Sequence, residues 1–182
     1  MGFISPGSKL ERAVRALLIL QGKSTADATF ISNDLRDRVF PNRTVLASSF
    51  TPTVPHRQGG VVTFSVEHHF NTEEQAGDLD GSARREALDA FVGATADTLT
   101  VSDGNSLNSV ADAITTAGRW LAQTDGTPEG DAIAANEADM ASFRCDWIKM
   151  SEPFLVRGRT KDEEGTWLEI LNFTAFVSHA TD

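Results

Sequence analysis

An α+β fold is what this sequence predicts: a mostly antiparallel sheet of about four strands, with two to three helices packed on one face. Three observations predict it. The run Gly60 to Phe70 and a second long run, Thr166 to Ser178, alternate apolar and polar residues, the period of a half-buried antiparallel strand. Leu10, Ala13, Val14, Leu17 and Leu18 recur near the N-terminus at helical spacing. Helices and strands do not alternate strictly along the chain, which argues for α+β rather than a parallel α/β sheet.

In chain order, Ser8 with Glu11 three residues on is a capping box, so the first helix starts there, and Gly22 stops it. A second helical stretch is expected over about Ala28 to Val39, ended by Pro41. Thr44 to Phe50 is a strand, and Pro52, Pro55 and Gly59-Gly60 mark a loop. In the run from Val61, Val62, Phe64, Val66, His68 and Phe70 share one face. Residues 71–81 form an acidic loop, and Ser82 caps a helix to about Leu99. Another helix runs from about Leu107 to Ala122, its stripe formed by Leu107, Val110, Ala111, Ile114 and Leu121. Residues 123–139 read as an exposed acidic loop or insertion. Strand pattern returns at Ala141 to Met150, where Phe143, Cys145 and Trp147 alternate with Arg144 and Asp146. Phe154 to Arg159 is expected to pair with the last run across a charged turn, Thr160 to Gly165. Trp167, Glu169, Leu171, Phe173, Ala175 and Val177 share one face of that run.

The 182 residues suit a single domain, 1–182, and 11 Phe and 3 Trp supply a core despite 40% apolar content. The net charge of -10 argues against non-specific nucleic-acid binding, which needs a basic surface. The charge is uneven. Residues 1–60 hold eight Lys/Arg and four Asp/Glu, a balance of +4, and the remainder holds 8 and 22, a balance of -14. Such asymmetry marks an interaction surface or two solvated faces. One cysteine, Cys145, excludes an internal disulfide and reads as a reduced core residue. No apolar run approaches the length of a signal peptide or a membrane span, so a soluble protein made in the cytoplasm is expected.

Candidate chemistry fails motif by motif. Gly22-Lys23-Ser24 resembles the end of a phosphate-binding loop, but Leu17 stands where its first Gly belongs, and the segment follows a helix. Asp78 and Asp80 before Gly81 suggest a calcium loop, yet Ala76 and Ala87 occupy its first and twelfth ligand positions. His68 and His69 are strand neighbours and point to opposite faces. No Gly-x-Ser-x-Gly elbow is present. Trp120, Trp147 and Trp167 suit core or subunit contacts better than a ligand cage. The residues therefore predict no enzyme, no metal and no cofactor.

The layout of Lys9–Gln21, of Val61–Phe70 with Ser82-Ala83-Arg84-Arg85-Glu86-Ala87-Leu88, and of Gly165–Val177 resembles the tail terminator or tail-completion proteins of tailed bacteriophages, which sit at the neck. Residues 100–140 depart from that pattern. The resemblance implies a structural α+β subunit that forms a ring, commonly a hexamer, on the tail tube. The ring stops tube polymerisation and joins tail to head connector, and genome DNA passes through it without specific binding. Its place would be the host cytoplasm during assembly and then the virion, with no membrane involved. On this reading Arg12, Arg15, Arg36, Arg38, Arg84 and Arg85 would meet Glu73, Glu74, Asp78 and Asp80 between subunits. Asp125, Glu129 and Asp131 would lie on a lumen or partner loop. A head-closure or stopper protein is the nearest alternative. A ligand-binding or enzymatic module with a site of dispersed residues is another.

Overall fold

The computed structural model describes residues 5–20, 25, 27–32, 34–39, 42–53, 59–70, 110–122, 138–150, 160–161 and 167–179. Its elements are α1 (Pro6–Leu20), β1 (Thr29–Ile31), β2 (Asn42–Pro52), β3 (Gly60–Phe70), α2 (Val110–Trp120), β4 (Phe143–Met150), β5 (Thr160–Lys161) and β6 (Trp167–His179), with a 3-10 turn at Ala138–Met140. The six strands form one sheet in the order β1-β2-β3-β6-β4, with β5 paired to β6. Among the described residues only the β1–β2 pairing is parallel. The α+β class and the mostly antiparallel sheet are as the sequence predicts. The two strands beyond four are the short β1 and β5.

α1 begins earlier than its expected capping box. Ser5 is the cap, its Oγ accepting from the Ser8 amide at 3.2 Å, and Pro6 takes the first helical position, where a missing N–H costs nothing. Both helices cover the same face of the sheet. Leu10, Val14 and Leu17 of α1 and Ile114 and Ala117 of α2 form one cluster with Val45, Val62, Phe64, Phe143, Phe173, Ala175 and Val177. The Phe64 and Phe173 rings stack at its centre with centroids 5.2 Å apart. The helices touch closely where Gly118 of α2 meets Ala13 of α1. The period-2 reading holds in both long strands: Val62, Phe64 and Val66 are buried, as are Phe173, Ala175 and Val177.

Residues 28–39 are not a helix. Thr29–Ile31 is a strand paired to Arg43–Val45 of β2, and residues 34–39 are irregular. Pairing with an existing strand buries Phe30 to 1% exposure, which outweighs local helical preference. Phe30 shares a row with Thr44 and Glu67, on the face opposite the helices. Bulges interrupt β2 between Ala47 and Ser49 and β4 between Cys145 and Trp147.

Of the remaining expectations, the Ala141 to Met150 strand is β4. Thr160 and Lys161, expected to open the charged turn, form β5 instead and pair antiparallel with Leu168 and Trp167 of β6, and the rest of that turn lies outside the described residues. The 107–122 helix is seen from Val110. The acidic loop at 71–81, the Ser82 helix, most of 123–139 and the strand at 154–159 lie outside the described residues.

Candidate functional site

Three arginines of the basic N-terminal third, Arg15, Arg36 and Arg38, converge on β1. The apolar stripe of α1 fixes the helix on the sheet and leaves Arg12 and Arg15 half-buried on its flank. Arg15 Nε donates to the Thr29 carbonyl at 3.0 Å. Arg36 Nη2 donates to the same oxygen at 2.9 Å. An edge carbonyl that would otherwise template another strand is thereby occupied twice.

Arg36 is itself held. Its Nε donates to Asp34 Oδ1 at 2.8 Å, its Nη2 to Asp34 Oδ2, and its amide to Oδ1 at 3.2 Å. The hydrogen-bonded guanidinium holds the Asp34 carboxyl below its usual range, and Asp34 raises Arg36 in return. The Arg36 guanidinium lies 4.9 Å from the Phe30 ring centre and that of Arg38 5.7 Å from it, within cation–π range. Arg38 Nη1 also donates to Thr44 Oγ1 at 3.1 Å. Three of the expected contact residues, Arg15, Arg36 and Arg38, thus gather at one end of the sheet and also serve the fold, and Arg12 is half-buried on α1. Arg84, Arg85, Glu73, Glu74, Asp78, Asp80, Asp125, Glu129 and Asp131 lie outside the described residues.

The opposite edge of the sheet is covered by α2. Thr115 Oγ1 accepts from the Cys145 amide at 2.9 Å and sits 3.1 Å from the Cys145 carbonyl. Arg119 Nε donates to the Phe143 carbonyl at 3.0 Å. On the face away from the helices, Trp147 is 39% exposed. Its ring lies 6.4 Å from that of Phe176 and 5.7 Å from Lys149 Nζ.

Three arrangements among the described residues carry polar chemistry. An open pocket of about 240 Å³ at the start of α1 is lined by Ser5, Ser8, Glu11, Ser32, Ser48 and neighbouring residues. Both Glu11 oxygens are engaged there, Oε2 by Ser32 Oγ and Oε1 by the Ala47 amide, each at 2.6 Å. On β3, His69 Nε2 lies 3.3 Å from Glu67 Oε2. That pair shares the face opposite the helices, whereas Cys145 belongs to the core. Burial first, and then Asp146 and Asp112, push the Cys145 thiol up to about 12, far from the range of a nucleophilic thiolate. No group of three or more His, Cys, Asp or Glu that could hold a metal exists among the described residues.

Sequence reasoning missed two features. Glu11 reaches across to the sheet rather than capping its own helix. Leu35, within the expected helix, is 97% exposed. No helix among the described residues is long and apolar enough to cross a membrane. No family model and no curated protein matches this chain.

Proposed function

We propose that this protein is an architectural subunit of the neck of a tailed bacteriophage, a tail terminator. It assembles into a ring, most simply of six copies, that caps the tail tube, ends its polymerisation and joins the tail to the head connector. The chain needs no cofactor for this. Its partners are other copies of itself, the tube protein and the connector, with genome DNA passing through the ring.

The observation that carries this reading is the basic cluster at the β1 edge. Arg15, Arg36 and Arg38 come from two separate segments, and residues 61–182 of the same chain balance to -14. A ring is built from heterologous contacts, in which two different patches of one subunit meet. Opposite charge on those patches orients the encounter. The layout of strands and helices that resembles tail terminators adds to this.

Mass spectrometry of purified virions tests the reading. The chain is expected in tails or joined particles at roughly one ring per virion, and its absence would sink the phage reading. Deleting its gene separates the two neck roles. Loss of a terminator leaves tails of unregulated length, whereas loss of a stopper leaves tails of normal length unjoined to heads.

A further inference from the structure

Asn42, Glu67 and His69 share one patch of the sheet face opposite the helices. Asn42 of β2 stands opposite His69 of β3, and Thr44 opposite Glu67. Residues two apart on a strand share a face, and directly opposed side chains start about 4.5–5.5 Å apart at Cβ. The patch is covered. Asn42 is 1% exposed, and the other two side chains are mostly buried. Two of its buried atoms make no hydrogen bond, Asn42 Oδ1 and His69 Nε2. Such atoms are rare in native proteins and point to a water, an ion or a functional role. The Asn42 amide is held in place, because its Nδ2 donates to the Val39 carbonyl at 2.7 Å, and Oδ1 is the end left over. His69 Nε2 lies 3.3 Å from Glu67 Oε2. That distance would allow a hydrogen bond, yet none forms, so the carboxylate stands beside the bonding direction of the nitrogen rather than along it.

We propose that Asn42 Oδ1, Glu67 Oε2 and His69 Nε2 bind one divalent transition-metal ion, Zn²⁺ in the first place. The inference goes beyond the neck reading and does not depend on it. Geometry supports it. Zinc holds nitrogen and carboxylate oxygen at about 2.0–2.1 Å, so two ligands of a tetrahedral ion stand roughly 3.3–3.4 Å apart. The His69–Glu67 separation has that length, and an ion between the two atoms satisfies a nitrogen that the carboxylate alone does not. Chemistry narrows the metal. Calcium and magnesium take oxygen ligands, whereas imidazole suits zinc and its transition-metal neighbours. The three donors leave a fourth tetrahedral position to water. Arg38 reaches Thr44 in the adjacent row, and its charge opposes a second cation. One ligand is a neutral amide, so binding is weaker than at a closed four-ligand site. The ion would tie β2 to β3 and, through the Asn42 bond to Val39, to the 34–39 loop. Sequence pattern hides this set, because its members lie on two strands and one of them is an asparagine.

Titration calorimetry of the untagged, chelator-treated full chain with Zn²⁺ tests this, with Co²⁺ as a spectroscopic probe. The wild type should bind one Zn²⁺ per chain and melt at a higher temperature with the metal, since the unfolded chain holds no such site. Bound Co²⁺ should show the intense visible bands of four-coordinate geometry. Asn42→Ala, Glu67→Gln and His69→Gln should each weaken Zn²⁺ at least tenfold, roughly, because losing even a residue that supports a ligand costs about 10–100-fold. His56→Gln, which removes another histidine, should leave affinity unchanged. Circular dichroism without metal checks that each variant folds. A wild-type chain that takes up no Zn²⁺ at about 1 mM would overturn the site, whatever the variants do. Wild-type affinity in any folded variant of the three would overturn it as assigned, and so would loss in His56→Gln.

Discussion

Glu11 ties α1 to the sheet through both carboxylate oxygens. The side chain is 2% exposed, and its partners are the Ser32 hydroxyl and the Ala47 amide, the latter at the bulge of β2. The Ala47 amide is on the side of β2 that faces β1, past the last paired residues Ile31 and Val45, so the carboxylate supplies the acceptor that a longer β1 would have given. Glu11→Ala removes both acceptors and strands a buried N–H, at a cost of about 3 kcal/mol. Glu11→Gln keeps a carbonyl for Ala47, and its amide can donate to a reoriented Ser32 hydroxyl, so its cost is nearer 1 kcal/mol. Urea unfolding of the two variants checks the ordering, and equal losses would contradict the two-acceptor account. Cys145 makes a second residue-scale case. At 2% exposure, with its thiol pushed up to about 12, it is neutral and covered at pH 8. A thiol reagent such as Ellman's should react with it only as the chain unfolds, at a rate that follows urea concentration. Fast labelling of the folded protein would contradict that burial.

At the scale of elements, the closest helix–helix contact decides how α2 sits. A Cβ added at Gly118 would lie 2.5 Å from Phe143 Cδ1 and 3.0 Å from Ala13 Cβ. Alanine gains about 1 kcal/mol over glycine in a helix. Overpacking against a ring with no exposed surface costs about 1–3 kcal/mol, and Phe143 is 0% exposed. The clash wins, so Gly118→Ala is expected to lower the melting temperature by a few degrees, as read by calorimetry. An increase would mean that the helices move apart freely. The same contacts explain which elements were legible. β3 and β6 announce themselves because a half-buried strand needs strict alternation, and Val62, Phe64, Phe173 and Ala175 obey it. β1 does not, because Ile31, Leu35 and Val39, spaced four apart, imitate a helical stripe. Only pairing with β2 and the Asp34–Arg36 bond overrule that spacing, and neither is local enough to read from pattern. The Ser8–Glu11 box misled for a similar reason. Its spacing fits a cap, but Ser5-Pro6 supplies a better one a turn earlier, and Glu11 is claimed by Ser32 and the Ala47 amide.

For the whole molecule, charge in the sequence indicated that the N-terminal third is distinctive but not where its arginines stand. Arg15 and Arg36 are 21 residues apart and meet only because both reach the Thr29 carbonyl. Leu35 was invisible as a surface feature, since a helix over 28–39 would have given it no reason to stand alone. The clustered charges set a sign for assembly. Two copies at -10 each repel, and salt relieves that repulsion. Complementary patches attract, and salt weakens that attraction. Distance decides between them. A chain of this size has a radius of gyration of about 16 Å, so touching subunits are centred roughly 40 Å apart. The screening length is about 10 Å at 0.1 M salt, and the centre-to-centre repulsion is already largely gone there. Contact pairs near 4 Å keep about 1–4 kcal/mol each, depending on local dielectric. Raising salt from 0.1 M to 1 M shortens the screening length to about 3 Å, which erodes the attraction while little repulsion remains to be relieved. The dissociation constant between subunits should therefore rise with salt across that range, as measured by sedimentation equilibrium. A constant that falls would mean that apolar surface drives assembly and that the basic cluster at β1 serves the fold alone.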